Sequence, residues 1–491
     1  MSDTRLLAAQ AAALVARLGP VTGITSDSRL AGPDVAFAAY PGNSRDGRAF
    51  IGDAIARGAA AVLFEARGFD WNSGWRVPHV AVADLKTRVG FVAAAVYRQP
   101  SRALWMVGVT GTNGKTSCSH WIAQALTQCG RRAAIVGTLG NGFADALQPT
   151  SNTTPDACLL HATLAGWLRD GAAAVAMEVS SHGLDQGRVN GVAFDVALFT
   201  NLTRDHLDYH GTLAAYGAAK ARLFHWPGLR TAVINAADSF GQTLIAQARR
   251  HRQHVVSYGA DGADIVATRV AAIATGMSID VRTPKGQGQV SVPVTGLFNV
   301  QNVLGVLGVL LASDIELDAA LRALSHITAP PGRMERFGGG KHPLVIVDYA
   351  HTPDALEQVL AAVRPVLGPG GRLMCVFGCG GNRDRGKRPQ MGSVAGRLAD
   401  RVIVTNDNPR NESPREIADQ IIEGLKTTPA NWSVELDRRR AIQLAIDDAV
   451  AGDVVVLAGK GHEDYQETND ERRPFSDAAV AIEMLSRRSR G

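Results

Sequence analysis

Cysteine is scarce in this sequence. Only five occur in 491 residues, at Cys118, Cys129, Cys158, Cys375 and Cys379. An odd, scattered set with no paired zinc spacing excludes a disulfide-framed secreted domain and predicts reduced thiols in a cytoplasmic protein. Cys375 and Cys379 are close enough in sequence to be redox partners, although buried structural thiols are the commoner case.

Long apolar runs are missing too. No stretch approaches the eighteen or so uncharged apolar residues that a membrane span needs, so we predict no membrane insertion. The opening MSDTRLLAAQAAALVARLG lacks the basic segment and cleavage pattern of a signal peptide. Its leucine and alanine spacing predicts an amphipathic helix instead.

Runs of one charge sign are absent as well. The 51 basic and 46 acidic residues are interleaved and leave a net charge of +5. Without a basic stripe and interleaved aromatics, nucleic acid is a poor candidate ligand, and an anionic small substrate is favoured. We also expect a monomer.

The chain does contain many short apolar runs that alternate with helical segments. This pattern is typical of parallel sheets covered by helices on both faces, and it predicts an α/β protein. The polar stretch YRQPSRA and the segment TAPPGRME are candidate boundaries. They divide the chain into residues 1–100, a small α/β domain, residues 101–331, a central parallel-sheet domain, and residues 332–491, a second sheet with polar and glycine-rich loops.

A glycine-rich loop, GVTGTNGKTS, follows the apolar run 104–107 and precedes a helical segment. This is the context of a phosphate-binding loop: backbone N–H groups and the helix N-terminus face a phosphate, the lysine neutralises its oxygens, and the threonine can ligate Mg²⁺. A glycine turn with an incidental Gly-Lys-Thr is the alternative. The candidate ATP-binding residues here are Gly111, Thr112, Asn113, Gly114, Lys115, Thr116 and Ser117.

Three further residues in the central block are candidates for metal chemistry. Glu178 closes the apolar run 172–177, and a carboxylate at a strand's carboxyl end suits Mg²⁺ beside phosphates. His206 and His210 are four residues apart and would share a helix face, which leaves zinc open, although no third ligand has a recognisable spacing. From its local sequence, Lys220 is a surface lysine on a helix.

In the last block, three loops follow apolar runs. The loop TNDNPRNESP follows the run 402–404, and it is either a polar turn begun by Asn-Pro or a site for a zwitterion. GCGGNRDRGKRP follows the run 373–377, and GKGHEDYQ follows the run 454–458. Ligands of open α/β sheets collect at such strand ends, so we expect these loops to form one site.

The phosphate loop, read as Gly-x-x-Gly-x-x-Gly-Lys-Thr, resembles that of the Mur ligases and folylpolyglutamate synthases, which form amide bonds with ATP. The segments MEVSSHGL, FTNLTRDHLDYHG, GLFNVQN, GRME and VDYAHTPDAL agree, in order. The resemblance covers nearly the whole chain and is greatest to the Mur ligases that add the third residue of the peptide. It implies a small N-terminal domain that binds the UDP-linked substrate, a central P-loop ATPase domain and a C-terminal Rossmann-like domain that binds an amino acid.

The resemblance also implies roles for single residues. His206 would join Glu178 at a second Mg²⁺ site, and Lys220 matches a lysine that becomes carbamylated and so helps to hold Mg²⁺. Lys115, Glu178, His206 and Lys220 are therefore the candidate catalytic residues, and Thr116, Glu178, His206 and Lys220 the candidate metal ligands. The remaining candidate nucleotide contacts are Asn299, Asn302, Arg333 and Asp348.

Two substrate sites are implied in the same way. The candidates for the UDP-linked substrate are Ser26, Ser28, Asn43, Ser44, Arg45, Asn152, Thr153, Thr154, Ser180, Gln186 and Arg188, of which Arg45 departs from the small residue expected at its position. The candidates for the incoming amino acid are Arg383, Asp407, Asn408, Pro409, Arg410, Gly459 and Glu463.

The implied reaction is the ATP-dependent joining of meso-diaminopimelate to UDP-N-acetylmuramoyl-L-alanyl-D-glutamate through an acyl phosphate, in peptidoglycan precursor synthesis. Asp-Asn-Pro-Arg is associated with diaminopimelate in this family, and lysine-adding members usually lack its arginine. A lysine-adding ligase, a folylpolyglutamate synthase and a P-loop ATPase or nucleotide switch without ligase activity are the alternatives.

Overall fold

The computed structural model describes residues 2–42, 45–150, 152–273 and 276–488. Within these ranges the chain forms three α/β units, each on a sheet of its own, together with a small antiparallel sheet and a hairpin. None of the helices in these ranges is both long and apolar enough to cross a bilayer.

The N-terminal unit is a four-stranded sheet in the order β1-β2-β3-β4, with every pair parallel. Its two middle strands are almost wholly apolar, so both faces need cover. Helices α1 and α3 pack on one face, and α2 packs on the other beside Phe37 and Phe64. The predicted N-terminal helix is confirmed. The elements are α1 (Ser2–Leu18), β1 (Gly23–Thr25), β2 (Val35–Ala39), α2 (Ile51–Ala56), β3 (Ala61–Glu65), β4 (His79–Val82) and α3 (Leu85–Val96).

The central unit is an eight-stranded sheet in the order β12-β11-β10-β5-β9-β6-β7-β8, parallel except for β7 and β8. Its first elements are β5 (Trp105–Thr110), α4 (Lys115–Gln128), β6 (Ala133–Gly137), β7 (Gly140–Phe143), β8 (Ala146–Gln148), α5 (Ala157–Arg169), β9 (Ala174–Glu178), α6 (Ser181–Asp185) and β10 (Val196–Phe199). Its remaining elements are α7 (Leu207–His210), α8 (Leu213–Ala221), β11 (Thr231–Asn235), α9 (Ser239–Arg250), β12 (His254–Tyr258), β13 (Val266–Ile273), β14 (Gly276–Thr283), β15 (Gly286–Val292), α10 (Leu297–Ala312) and α11 (Leu317–Leu324).

Alternate residues of β5 belong to two different cores, because successive side chains of a strand point to opposite faces. Val107 and Val109 pack with residues of α4 and α10, and Met106 packs with residues of β9 and α5. The predicted double cover of a parallel sheet is therefore confirmed. The antiparallel sheet β13-β14-β15, which packs against α11, was not predicted.

The C-terminal unit is a six-stranded sheet in the order β16-β17-β21-β18-β19-β20, parallel except for β16. The runs 373–377 and 454–458 are strands, as predicted, and Cys375 and Cys379 are buried free thiols. The elements are β16 (Glu335–Gly338), β17 (Leu344–Asp348), α12 (Pro353–Val363), β18 (Leu373–Phe377), α13 (Lys387–Leu398), β19 (Arg401–Val404), α14 (Pro414–Leu425), β20 (Asn431–Val434), α15 (Arg438–Asp448), β21 (Val454–Ala458), β22 (Tyr465–Thr468), β23 (Glu471–Pro474) and α16 (Asp477–Arg488).

The carboxyl ends of the central and C-terminal sheets face each other. Asn113 Nδ2, after β5, donates to Asp354 Oδ2, at the start of α12, at 3.0 Å. Arg333 Nη2, just before β16, donates to Thr116 Oγ1 at 3.1 Å. The proposed boundaries at 100/101 and 331/332 fall between α3 and β5 and between α11 and β16. The cleft between the two sheets is thus lined by residues of the phosphate loop and of the C-terminal unit.

Candidate active site

Two glycines allow the phosphate loop to pack closely against its neighbours. Gly111 and Gly114 have φ values of +154° and +83°, and a Cβ would lie 1.8 Å from Thr200 Oγ1 at Gly111 and 2.5 Å from Asn302 Oδ1 at Gly114. The backbone N–H of Asn113 is anchored by Asn201 Oδ1 at 2.9 Å. No other residue fits both glycine positions without displacing a neighbour, so the loop has the close-packed form that a phosphate needs.

Lys115 begins α4 and folds back over this loop. Its Nζ donates to the carbonyl oxygens of Gly111 and Thr112 at 3.0 and 2.9 Å. Burial lowers the pKa of Lys115, and the nearby Glu178 opposes that shift. Because two carbonyl contacts are weak compensation for a buried ammonium, a phosphate oxygen is a better partner for this group.

Glu178 ends β9 and is completely buried. Its Oε2 accepts from Thr116 Oγ1 at 3.1 Å, and its two oxygens accept from Thr138 N at 2.8 Å and Thr138 Oγ1 at 3.1 Å. Thr138 follows β6 and was not singled out in the sequence, although it also lies at a strand's carboxyl end. In the described ranges, no lysine, arginine or histidine lies within ion-pair distance of Glu178, although the charge of this carboxylate acts on the nearby Lys115.

The two histidines differ in what they contact. His206 caps α7 with a positive φ of 52°, and its Nε2 is 3.3 Å from Asp205 Oδ2. Burial lowers the pKa of His206 to about 3. His210 Nε2 instead lies 3.0 Å from Ser181 Oγ and packs against α6. Among the described residues, no three His, Cys, Asp or Glu side chains converge closely enough to hold a metal by themselves.

Lys220 contradicts the interpretation drawn from its local sequence. It is not a surface lysine: its side chain is 1% exposed, and its Nζ donates to Gly111 O at 2.7 Å and lies 4.3 Å from the centroid of the Tyr216 ring. The face of α8 that carries Tyr216 and Lys220 packs towards the phosphate loop, which local sequence could not indicate. Burial, and then the charge of Lys115, hold the pKa of Lys220 well below its usual range.

The predicted nucleotide contacts line a cavity of about 430 Å³ beside the phosphate loop. Asn302 Nδ2 donates to Asn299 Oδ1 at 3.1 Å, and the Arg333 guanidinium lies 4.6 Å from the centroid of the Tyr349 ring. Asp348 Oδ2 accepts from Met334 N at 2.8 Å, and burial raises the pKa of Asp348. Ser117 lines the same cavity, together with side chains that the sequence did not indicate, namely Trp121, Val294, Phe298 and Asp354.

The predicted contacts to the UDP-linked substrate fall into two groups. Ser26, Ser28 and Arg45 line a cavity of about 570 Å³ on the N-terminal unit, where Ser26 Oγ donates to Asp156 Oδ1 at 3.2 Å. Asn43 and Ser44 lie outside the described residues.

The second group lies next to Glu178. Thr154 Oγ1 donates to the Glu178 carbonyl at 2.9 Å and is 3.0 Å from Ser180 Oγ, and Arg188 Nη1 donates to Thr154 O at 2.8 Å. Three other predicted contacts complete the group: Thr153 Oγ1 is 3.0 Å from Thr138 Oγ1, Gln186 Oε1 accepts from Arg188 Nε at 2.9 Å, and Asn152 is exposed.

The loop after β19 turns its carboxylate and carboxamide inwards. Asp407 and Asn408 are buried, and Asn408 Nδ2 donates to Glu463 Oε2 at 2.8 Å. Lys460, which the sequence did not indicate, is completely buried and donates to the same Glu463 oxygen at 2.9 Å and to Asn408 Oδ1 at 3.2 Å. Burial, followed by the charge of Asp407, raises the pKa of Glu463. A Cβ at Gly459 would lie 2.7 Å from Asp407 Oδ2.

Arg410 lies at the rim of this acidic pocket. It follows the buried Pro409 and has a positive φ of 52°, and its Nη1 donates to Gly381 O at 3.0 Å. Arg383 is exposed, with its Nη1 donating to Asn382 O at 3.0 Å. The two arginine loops are joined because the buried Arg388 donates to Glu412 Oε2 at 2.9 Å and to Gly380 O at 3.2 Å.

These features define a multidomain P-loop enzyme. They are a phosphate loop, a buried carboxylate on the neighbouring strand, and a facing sheet with charged loops of its own. The family description "Mur ligase family, catalytic domain" matches residues 20–97, "Mur ligase middle domain" matches 109–310 and "Mur ligase, glutamate ligase domain" matches 332–461. The chain belongs to the Mur ligase family, and the predicted architecture is confirmed.

Individual relatives agree over nearly the full length. A protein of Chromobacterium violaceum named UDP-N-acetylmuramoyl-L-alanyl-D-glutamate--2,6-diaminopimelate ligase is 49% identical over 476 residues, covering 96% of both chains. One of the same name from Ectopseudomonas mendocina is 52% identical over 465 residues, covering 94% of both.

Solved structures agree as well. A structure of a ligase with that name superposes with a TM-score of 0.67 at 36% identity, covering 96% of both chains. The structure of MurF ligase from Thermotoga maritima in complex with ADP shares the fold. It has 18% sequence identity and a TM-score of 0.65, and the match covers 96% of this chain and 97% of that chain.

Proposed function

We propose that this protein joins meso-2,6-diaminopimelate to the D-glutamate carboxylate of UDP-N-acetylmuramoyl-L-alanyl-D-glutamate, with ATP and Mg²⁺, in peptidoglycan precursor synthesis. The observation that carries the proposal is the pairing of a buried acidic pocket with rim arginines, opposite the phosphate loop. The names of the full-length relatives support the same reaction.

The charges of the C-terminal site favour a diamino diacid. Asp407 and Glu463 supply two carboxylates and Lys460 one ammonium, so this pocket suits an incoming ammonium group. Arg410 donates from Nη1 to the carbonyl of Gly381, and its Nε lies 3.6 Å from Glu467 Oε2. A guanidinium has five donors, so N–H groups remain for a substrate carboxylate. Arg383 is a second carboxylate partner. Lysine has one carboxylate fewer, so Arg410 would favour diaminopimelate over lysine.

The acceptor would span the N-terminal and central units. Ser26, Ser28 and Arg45, with Asn43 and Ser44, would hold the UDP end, because hydroxyls, amides and an arginine suit a pyrophosphate and a sugar. Arg188, Thr154 and Ser180, with Asn152, Thr153 and Gln186, would hold the peptide end. Thr153 is 3.0 Å from Thr138, whose hydroxyl also reaches Glu178, so the D-glutamate carboxylate would end near the phosphates.

The first chemical step is attack of this carboxylate on the γ-phosphorus of ATP, which forms an acyl phosphate and releases ADP. Lys115 would exchange its two carbonyl contacts for phosphoryl oxygens, and the N-terminus of α4 would add its partial positive charge. Asn299, Asn302, Arg333 and Asp348 would hold the nucleotide. The protein therefore contributes positioning and charge rather than a nucleophile.

Glu178 fits a magnesium site because its carboxylate is fully buried, lies 3.1 Å from Thr116 Oγ1 and pairs with no cation in the described part of the chain. Mg²⁺ takes few protein ligands and many phosphate and water oxygens. Thr116 and Glu178 would hold one Mg²⁺, and Glu178, His206 and a carbamylated Lys220 would help to hold a second. When bound, Mg²⁺ would neutralise phosphoryl oxygens. Carbamylation fits Lys220 because a buried amine of lowered pKa is more often neutral and so able to react with CO₂.

The second step is attack of the neutral amine on the acyl carbon. The tetrahedral intermediate expels phosphate and leaves an amide, so each turnover produces one ADP and one phosphate. The acyl phosphate must be shielded from water until the amine arrives, which requires the C-terminal loops to close over it.

Phosphate release in the presence of the UDP-dipeptide tests the proposal. We expect turnover with diaminopimelate, much less with lysine and least without an amino acid. Equal rates in all three reactions would refute ligase activity. A preference for lysine would refute only the amine assignment and favour the lysine-adding alternative.

A further inference from the structure

One ion pair bridges the two halves of the active-site cleft. Arg204, in the loop after β10, donates from Nε to Asp384 Oδ2 at 3.0 Å and from Nη2 to Asp384 Oδ1 at 3.2 Å. Asp384 lies in the loop after β18, so the pair joins the central and C-terminal units. Two parallel N–H···O bonds fix both the distance and the orientation of the partners.

Each partner is next to a predicted site residue. On the central side, Thr203 N donates to Thr112 Oγ1 at 2.9 Å, and Thr112 Oγ1 donates back to Thr203 O at 3.2 Å. The phosphate loop therefore holds the backbone just before Arg204. On the C-terminal side, Asp384 follows Arg383, a proposed carboxylate partner of the amino acid.

Asp384 is also fixed from its own side. Its Oδ1 accepts from Gly386 N at 2.9 Å, just before α13. A Cβ at Gly386 would lie 2.5 Å from Arg204 Nη2, so glycine leaves the space that the guanidinium occupies. The loop that carries Arg383 therefore has room for the Arg204 guanidinium beside Asp384.

A second contact holds the same central loop. His351 Nε2, before α12, lies 3.7 Å from Asp205 Oδ2, and Lys387 Nζ donates to His351 O at 2.8 Å. Two successive residues, Arg204 and Asp205, therefore contact the C-terminal unit. The next residue is His206, a proposed metal ligand, so this loop connects the phosphate chemistry to the amino-acid site.

The two partners differ in exposure. The Asp384 side chain is 9% exposed, whereas that of Arg204 is 41% exposed. Moving the units apart would break both N–H···O bonds between Arg204 and Asp384, and charge-assisted two-bond pairs are among the stronger polar contacts. The pair therefore favours the closed arrangement.

We propose that Arg204 and Asp384 are positioning residues that couple amino-acid binding to closure over the acyl phosphate. This proposal rests on the proposed function. It gives the Arg204–Asp384 pair a role in whether the amine or water reaches the acyl carbon. Binding of the amino acid's carboxylate to Arg383 would order the loop of Asp384. The ordered Asp384 would then hold Arg204 and the metal-binding loop in place.

The test uses Arg204→Gln, Asp384→Asn, their combination, and the swapped Arg204→Asp/Asp384→Arg. For each, the KM values for diaminopimelate and ATP are measured, with the ratio of phosphate released to amide formed. We expect each single variant to raise the KM for diaminopimelate about 10-fold and to raise the phosphate-to-amide ratio, with a change of less than about 2-fold in the KM for ATP. The combined variant should be no worse than either single one, and the swap should recover part of the loss.

Arg364→Gln is the matched control. Arg364 forms a similar two-bond pair with Asp400, at 2.5 and 2.9 Å, but both partners lie within the C-terminal unit. We expect this variant to keep the wild-type phosphate-to-amide ratio. The melting temperature of each variant shows whether the variant has lost stability. Lost stability would lower kcat without changing the phosphate-to-amide ratio, whereas a coupling defect would change this ratio.

Wild-type ratios in the single variants, or additive effects in the combined variant, would overturn the inference. Failure of this inference can be distinguished from failure of the proposed function. If the proposed function is wrong, the wild-type enzyme will release phosphate at the same rate with and without diaminopimelate. That result would refute both the proposed function and the coupling role of Arg204 and Asp384. A wild-type enzyme that needs diaminopimelate, with variants that behave like it, would remove only the coupling role.

Discussion

The phosphate site and the amino-acid site of this protein are built in opposite ways. The phosphate loop is one contiguous stretch between β5 and α4, and its shape depends on glycines within that stretch. The amino-acid site is assembled from the loops after β18, β19 and β21, joined by contacts such as Arg388 to Glu412 and Asn408 to Glu463. A contiguous site can be recognised from its own residues, whereas an assembled one depends on the sheet that brings its loops together.

The largest effect should come from the contiguous site. We expect Lys115→Ala to lower kcat by about 100-fold to 1000-fold with every amino acid, because it removes charge stabilisation of the transferring phosphoryl group. Steady-state phosphate release checks this. Lys426→Ala, at an exposed lysine of the C-terminal unit, is the control and should match the wild type. A loss confined to diaminopimelate would contradict the separation of the two sites.

An intermediate and more selective effect is expected at the assembled site. Arg410→Ala should raise the KM for diaminopimelate about 10-fold to 100-fold, because a charge-assisted bond to a carboxylate is lost. The KM for ATP should change little, and discrimination against lysine should weaken. Initial rates over a range of each substrate provide the measurement, with Arg415→Ala, at an exposed arginine of α14, as the control. Equal increases for ATP and diaminopimelate would argue against Arg410 as a carboxylate partner.

The smallest effect should fall on a supporting residue of the phosphate site. Thr138→Val removes the hydroxyl bond to Glu178 but keeps the backbone N–H bond. We expect kcat to fall about 3-fold to 10-fold, with a higher Mg²⁺ requirement. Magnesium titrations of activity check this, and Thr243→Val on the exposed face of α9 is the control. An unchanged Mg²⁺ requirement would show that Thr138 does not position Glu178.

Sequence patterns predicted most of the framework. Apolar runs located the strands, and the glycine spacing located the phosphate loop, because both signals lie within a few residues. The antiparallel sheet over residues 266–292 was missed, although Met277, Ile279 and Val281 show the two-residue alternation of a half-buried strand. This alternation indicates a strand, but the surrounding strand–loop–helix pattern favoured a parallel sheet over the whole block.

Residues whose roles depend on partners far away in sequence were harder to predict. The local sequence around Lys220 indicated a surface lysine, and this was wrong, because packing on the phosphate loop buries the side chain. The resemblance to the Mur ligases, in contrast, placed Lys220 among the candidate catalytic residues. Thr138 and Lys460 follow strands, as other site residues do, but neither their position nor the local sequence around Arg204 and Asp384 shows which side chains these residues contact. Each contacts a residue far away in sequence, which the sheet order or the meeting of two units brings close: Thr138 contacts Glu178, Lys460 contacts Asn408, and Arg204 contacts Asp384.

The sequence by itself determined the strand and helix periodicity, the phosphate loop and the loops that end the strands, because these depend on neighbours along the chain. Only the tertiary structure decided that Asp407 and Asn408 turn inwards while Arg410 stays at the rim, and that Lys220 lies beneath the phosphate loop. The physical reason is that burial and charge pairing depend on distances between residues far apart in sequence, which are set by how the sheets close on one another.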